Sequence, residues 1–361
     1  MDTKLHSRRR FLHGAAALSV SAPMLGLGSH RFARAQGADV LKIGASPFIN
    51  QAAIFLASDL GFFSKVGIDL KLQSIPDGSL VVAPLISGEI DIGVVTCSAG
   101  LFNSVSRGAP FHSILCNGQG SAGRAVTAIV VQSDVYEGGV RTLADLGKLK
   151  GQTVAVGAAG SINQYGMGTA LQKAGLAPLT DVKWQTSVGQ PDIVKQLGQK
   201  QLQAADLTYH LAYLAEKQGF CRIIASRDQL LPDSQTAMIA ARDDVLGKRR
   251  DVLVRFAMAY IHAGRFFNKV AGEPAKYPEA LQTIVKYIFV KDVEILKAVA
   301  PHWEFIAENG MPNVASVMAQ QDFWSDPFKM VERKVDQPKL FDLTIATEAA
   351  ARLDREKPFG I

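Results

Sequence analysis

The chain has 361 residues, 48% hydrophobic and 20% charged, an ordinary globular mixture with no low-complexity tract. Its formal net charge is +6, but Lys4, Arg8, Arg9, Arg10, Arg31 and Arg34 against Asp2 put +5 of that into residues 1–35, leaving the rest near +1. A basic surface for nucleic acid is thereby excluded: the densest later cluster, Lys248-Arg249-Arg250, sits beside Asp243, Asp244 and Asp251 and reads as a solvated helix start.

The first segment is an export address. Ser7-Arg8-Arg9-Arg10-Phe11-Leu12 sets paired arginines ahead of an apolar stretch that runs to Leu27, and Ala33-Arg34-Ala35 is the small-x-small pattern of a signal-peptidase site. The arginine pair predicts the twin-arginine route, with cleavage after Ala35 and a periplasmic mature protein. A membrane-spanning anchor needs roughly 20 mostly apolar residues, and Gly14, Ser19, Ser21, Pro23, Gly26 and Gly28 dilute this stretch. The residues that follow are numerous enough for two lobes.

Strand and helix patterns then alternate. Val40–Gly44 reads as a strand ended by Ser46-Pro47, Ala52–Leu60 as a helix stopped at Gly61, and Ile68–Leu72 as an alternating strand. Ser79–Ser87 is a helix closed by Gly88, and Ile90–Thr96 a continuous apolar strand. The rhythm restarts with strand Thr153–Val156, helix Gln164–Ala174, strand Val182–Thr186, helix Asp192–Leu197, strand Leu202–Leu207 and helix Leu211–Gln218. Glycine just past a helix supplies its left-handed cap. Alternation of this kind predicts an α/β protein of two similar halves with largely parallel sheets, and Asp251 onward reads as helices punctuated by Pro274, Pro278, Pro301 and Pro312.

Three cysteines, Cys97, Cys116 and Cys221, form neither a zinc pattern nor a disulfide framework. Cys97 and Cys116 read as small buried hydrophobes, though one pair remains free to bridge in an oxidising compartment.

An ordered series of short motifs carries a family resemblance. Gly61-Phe62-Phe63, Val66-Gly67-Ile68-Asp69-Leu70 and Leu85-Ile86-Ser87-Gly88-Glu89-Ile90-Asp91-Ile92-Gly93 come first. Leu143-Ala144-Asp145-Leu146, Leu149–Val156, Gly160-Ser161 and Ala170-Leu171 to Ala174-Gly175-Leu176 follow. Together, over roughly residues 40–265, the chain resembles the periplasmic substrate-binding proteins of ABC importers in the nitrate, sulfonate, taurine and thiamine-precursor group. The resemblance implies a two-lobed type II periplasmic binding protein: each lobe a mainly parallel sheet flanked by helices, a ligand cleft between the lobes, hinge closure, and delivery to a membrane permease. The expected organisation is a signal over 1–35, lobe 1 over 36–126, lobe 2 over 127–236, and a return to lobe 1 with C-terminal helices over 237–361. The chain would cross between lobes near Arg124–Val131 and Ser234–Ala241, and a monomer is expected. Relatives carry Gly-x-Val/Leu-Asp-Ala in the second lobe; here Lys200-Gln201-Leu202-Gln203-Ala204 stands instead, with Gln203 in place of the acid and Asp206 three residues on.

Ligands of open parallel sheets sit outside the carboxyl ends of the strands, where helix N-termini offer unpaired N–H groups. Four such ends supply the candidate ligand-binding residues: Phe48, Asn50 and Gln51; Thr96, Cys97 and Ser98; Ser161, Ile162 and Asn163; Tyr209 and His210, with Asn117 added. Asn50, Thr96 and Ser161 read equally well as helix caps, and Tyr209 and His210 as packing. Catalytic readings find no support. The glycine loop 157–160 lacks a Gly-Lys-Ser/Thr ending, Gln119-Gly120-Ser121-Ala122-Gly123 fails as a nucleophile elbow at its first position, and the histidines do not pair at metal spacing. No cofactor, metal or catalytic residue is expected. Phe48, Ile162 and Tyr209 favour a small organic ligand, first an organic anion (a sulfonate or an aromatic carboxylate, with Arg124 as the best candidate clamp), second an uncharged pyrimidine-like metabolite read by His210 and Asn163. A pyrimidine-synthesis enzyme on the same scaffold is the remaining alternative.

Overall fold

The computed structural model describes residues 37–360, so the export signal expected over 1–35 lies outside the described residues. Two five-stranded sheets are built in chain order. The first takes β1 (Asp39–Ala45), β2 (Ile68–Ser74), β3 (Ile92–Thr96) and β4 (Phe111–Gln119). The second takes β5 (Thr127–Gln132), β6 (Thr153–Ala155), β7 (Lys183–Gln185), β8 (Ala204–Thr208) and β9 (Cys221–Ser226), and the chain then returns to add β10 (Gln235–Arg242) to the first. The strand orders are β2-β1-β3-β10-β4 and β7-β6-β8-β5-β9. Position for position they are the same sheet, with one strand exchanged by the crossing chain.

The exchanged strands are the exceptions to parallel pairing: β10 runs antiparallel to β3 and β4, and β5 antiparallel to β8 and β9. Their apolar runs fall where the crossings were expected. Strands with so apolar a middle bury inside a sheet and not at its edge, and every residue of β5 is buried. The linking segments therefore sit earlier, at residues 120–126 and 227–234.

Local chemistry accounts for the helices. The expected helix Ser79–Ser87 divides into a 3-10 turn, Gly78–Val81, capped by the Asp77 carboxylate on the Ser79 N–H at 2.8 Å, and a helix Val82–Ser87 that holds Pro84 in its first turn. Gly88, at φ +82°, closes it in the left-handed region. On one face of the first sheet Leu41 and Ile43 pack beneath the helices Ala52–Asp59, Arg250–Gly272 and Thr344–Glu356.

The C-terminal third joins the two sheets. Helix Pro278–Tyr287 packs on Ala52–Asp59 of the first, and helix Val293–Val299 on Tyr209–Lys217 of the second. On the opposite side, helix Val314–Ser325 lies against both Ala99–Ser106 and Ile162–Lys173. There Tyr165 meets Phe323 edge-on at 4.7 Å, and Trp324, fully buried, joins a cluster that also holds Phe102 and Phe111 of the first sheet's side. Truncating so large a buried aromatic leaves a cavity, and Trp324→Ala is expected to lower the unfolding free energy by about 3–5 kcal/mol in urea titration. A loss under about 1 kcal/mol would show that the cluster does not join the halves.

Candidate functional site

The carboxyl ends of β1, β3, β6 and β8 open toward one gap between the sheets, each leading into a helix. Ser98 caps Ala99–Ser106 by accepting the Leu101 N–H at 3.2 Å, and Ser161 caps Ile162–Lys173 by accepting the Gln164 N–H at 3.3 Å. The gap is closed at one edge: the Ala99 N–H donates to the Gly160 carbonyl across it at 3.0 Å. A Cβ on Gly160 would stand 3.1 Å from the Ala99 Cβ, and at φ +69° the position already favours glycine.

Seven of the twelve candidates line the inner cavity: Phe48, Asn50, Gln51, Thr96, Ser161, Ile162 and Asn163. It holds only about 30 Å³ and shares Phe48, Asp77 and Gln190 with an outer cavity of about 340 Å³. Phe48 is buried, with its ring set edge-on to Phe289 at 5.3 Å, and forms part of the wall. Asn50 and Thr96 make no cap; Asn50 Oδ1 and Thr96 Oγ1 are buried without a protein partner. Orphaned buried polar atoms in a cleft call for a partner from outside the chain, a water or a solute.

The other five candidates stand outside the walls. Cys97 and Ser98 are buried, and desolvation drives the Cys97 thiol far above its ordinary pKa. All three cysteines are free. Asn117 lies behind the wall, where its Nδ2 donates to the Asn50 carbonyl at 3.2 Å and its Oδ1 accepts from the Tyr260 hydroxyl at 2.9 Å. Tyr209 stacks on His302 at 4.3 Å. His210 is fully buried with both ring nitrogens unpartnered, and desolvation lowers its pKa to about 3, so it is neutral. Arg124, the expected clamp, is not on the walls either.

Sequence reasoning missed Asp77, Thr127, Gln190, Thr208 and Thr236, all on the walls. Thr208 was one residue short of the chosen pair, at the last position of its strand. Gln190 opens a helix after Gly189, the same signal that singled out Ser161 and Asn163. Its Oε1 accepts both the N–H of Thr208 at 2.8 Å and its hydroxyl at 3.1 Å. Gln203, in the place of the family acid, serves the sheet instead, since its Oε1 accepts the Thr153 N–H at 3.0 Å and ties β6.

Two buried ionisable groups flank the inner cavity. Asp206, pushed up to about 6 by burial and held down in part by Arg227, pairs with Arg227 at 3.3 Å. Arg227 also donates to the Ile162 carbonyl at 2.8 Å, and the Asn163 amide donates to Asp206 Oδ1 at 2.9 Å. Glu304 accepts the Thr236 hydroxyl on Oε1, leaves Oε2 unpartnered, and is pushed up to about 8 by burial. Gly118, at φ +86°, makes room for it: a Cβ there would stand 2.3 Å from Oε2.

The profile of the NMT1-like family matches residues 34–285, more than half of the chain. The chain belongs to the NMT1-like family. Among solved structures this NMT1-like protein resembles the periplasmic nitrate-binding protein NrtA from Synechocystis PCC 6803, with TM-score 0.73, 15% identity and 88% of this chain against 89% of that one. It also resembles the ligand-binding component of an ABC-type import system from Staphylococcus aureus, solved with zinc bound, at TM-score 0.70, 13% identity and 86% against 99% coverage. The aliphatic sulphonate binding protein SsuA from Escherichia coli follows at TM-score 0.64, 19% identity and 84% against 92% coverage. At such identities the likeness is one of fold: the NMT1-like chain is a two-lobed α/β protein of the type II periplasmic-binding class. No curated protein matches it in sequence. Among the described residues no three His, Cys, Asp or Glu side chains are grouped to hold a metal ion, and no helix is long and apolar enough to cross a membrane.

Glu304 gives a pH test. Its folded pKa lies above the ordinary 4.5, so between about 4.5 and 8 the folded state holds a proton that the unfolded state has released. Stability from this group is fully present below that window and falls as pH rises through it, at up to about 1.4 kcal/mol per pH unit. Urea titrations at pH 5 to 8 should show Glu304→Gln losing less stability with rising pH than the parent; parallel curves would contradict this.

Proposed function

We propose that this NMT1-like protein is the extracytoplasmic solute-binding component of an ABC importer. It captures a small organic molecule between its lobes and delivers it to a membrane permease. The observation that carries the reading is the cleft itself. Strand ends from both sheets line it, and the polar atoms of Asn50 and Thr96 there lack partners. The solved neighbours are solute-binding proteins for nitrate and sulphonate, which supports capture as the general role. Export through the twin-arginine route with cleavage after Ala35, and action as a monomer without catalysis, belong to the same proposal.

The walls favour the uncharged, pyrimidine-like ligand over the organic anion. Asp77 is the single charged side chain on either cavity, so a carboxylate or sulfonate would find no guanidinium fork. The anion reading keeps one observation in its favour: the helices Ile162–Lys173 and Gln190–Gly198 both start at the cleft, and helix starts attract negative charge. A cavity of about 340 Å³ opening on a polar inner pocket fits a small organic molecule.

A thermal-shift panel of uncharged pyrimidines, aromatic acids, sulfonates and nitrate tests the proposal. One class should raise the melting temperature, with stabilisation of about 2.7 kcal/mol at 100-fold excess over its Kd. If no compound shifts the melt while one of them is chemically converted, the enzymatic reading replaces this one.

A further inference from the structure

Three side chains on the cleft walls have their hydrogen-bonding sense fixed by main-chain groups that cannot change character. Asn163 donates its Nδ2 to the Asp206 carbonyl at 3.1 Å and to Oδ1 at 2.9 Å, which leaves Oδ1 as the atom it can offer. Gln190 receives the Thr208 N–H on Oε1 at 2.8 Å, and Gln51 receives the Ser46 N–H on Oε1 at 2.5 Å, so both amides have only their NH₂ to spare. The Thr208 hydroxyl hydrogen goes to Gln190 at 3.1 Å, leaving its oxygen lone pairs. Asp77 spends Oδ1 on the Ser79 N–H and hydroxyl at 2.8 and 2.7 Å, and Oδ2 reaches toward the other lobe, 3.7 Å from where a Cβ on Gly157 would stand.

We infer that the cleft selects solutes that present N–H donors (an amine, amidine or guanidine head on an apolar body) and discriminates against oxyanions. The inference rests on the reading of the cleft as a solute site. An oxyanion offers acceptors alone: the Gln51 and Gln190 amides and the Thr96 and Thr127 hydroxyls could donate to it, but it would face Asn163 Oδ1, Thr208 Oγ1 and the Asp77 carboxylate lone pair to lone pair. A nitrogen head can donate to these acceptors, and a cationic one gains the charge of Asp77. The nearest buried cation does not reverse this: Arg227 spends Nη2 on Asp206 at 3.3 Å and on the Ile162 carbonyl at 2.8 Å, and although its Nε and Nη1 have no protein partner, the guanidinium stands behind the wall and not on it. The amides of Gln51 and Gln190 remain to donate to a ring nitrogen or carbonyl beside the head. The body would lie in the outer cavity against Phe48, Leu80, Val188 and Phe289.

Benzamidine, benzoate and benzenesulfonate share one ring and differ in the head, and calorimetry with each on the purified protein separates the cases. Benzamidine should bind at least about tenfold more tightly than either oxyanion, because one unmet buried acceptor already costs about that much. Asp77→Asn retains an oxygen for the Ser79 cap and removes the charge, and should weaken benzamidine about tenfold with the urea midpoint as the control on folding. Tighter binding of benzoate or benzenesulfonate would overturn donor selection while leaving solute capture in place. Absence of binding by all three would also overturn it, whereas solute capture as such stands or falls on the thermal-shift panel.

Discussion

Two strands that arrive from the other lobe set the geometry of the cleft. β5 and β10 each enter the interior of a sheet, one place from its edge, directly after the chain crosses, and each begins at the gap. Val126 and Thr127 at the start of β5, and Thr236 near the start of β10, form part of the inner cavity. Register places Thr127 opposite Thr208 and Ala237 opposite Thr96, so the first residues of the crossing strands stand beside the last residues of the parallel ones. A rotation of one lobe against the other would act on the same backbone that lines the cleft. Under the proposed function, capture and closure would be coupled through these few residues.

The buried charges support this arrangement from behind. Asp206 and Arg227 lie almost wholly out of solvent, where an ion pair costs about as much to desolvate as it returns in attraction. Their use is positional: Arg227 holds the Ile162 carbonyl and Asp206 holds the Asn163 amide, so the pair fixes the first turn of the helix that faces the cleft. Gly166 admits them, since a Cβ there would meet Asp206 Oδ2 at 2.3 Å. On the other lobe Asn117 and Tyr260 hold the Asn50 loop in the same indirect way.

The alternation of strands and helices was legible because the period of the apolar residues reports it directly, and glycines such as Gly88 and Gly175 mark where helices stop. The antiparallel strands were not legible. An apolar run such as Thr127–Gln132 says that it is buried, but not from which side the chain enters the sheet. At the site, strand ends led to Asn50, Thr96, Ser161 and Asn163, because that rule depends only on element order. Tyr209 and His210 were chosen at the end of β8, yet it is Thr208, the strand's own last residue, that reaches the gap. Asp77, Thr236 and Glu304 come together only through tertiary contacts between segments far apart in the chain, and no local pattern announces them.

A crystal structure with the solute identified by thermal shift is the most direct measurement of the central claim. Density between Asn50 and Thr96 on one side and Asn163, Gln190 and Thr208 on the other is the expected result. Density confined elsewhere, such as the basic crevice between His262, Lys269 and Phe359, would contradict the account.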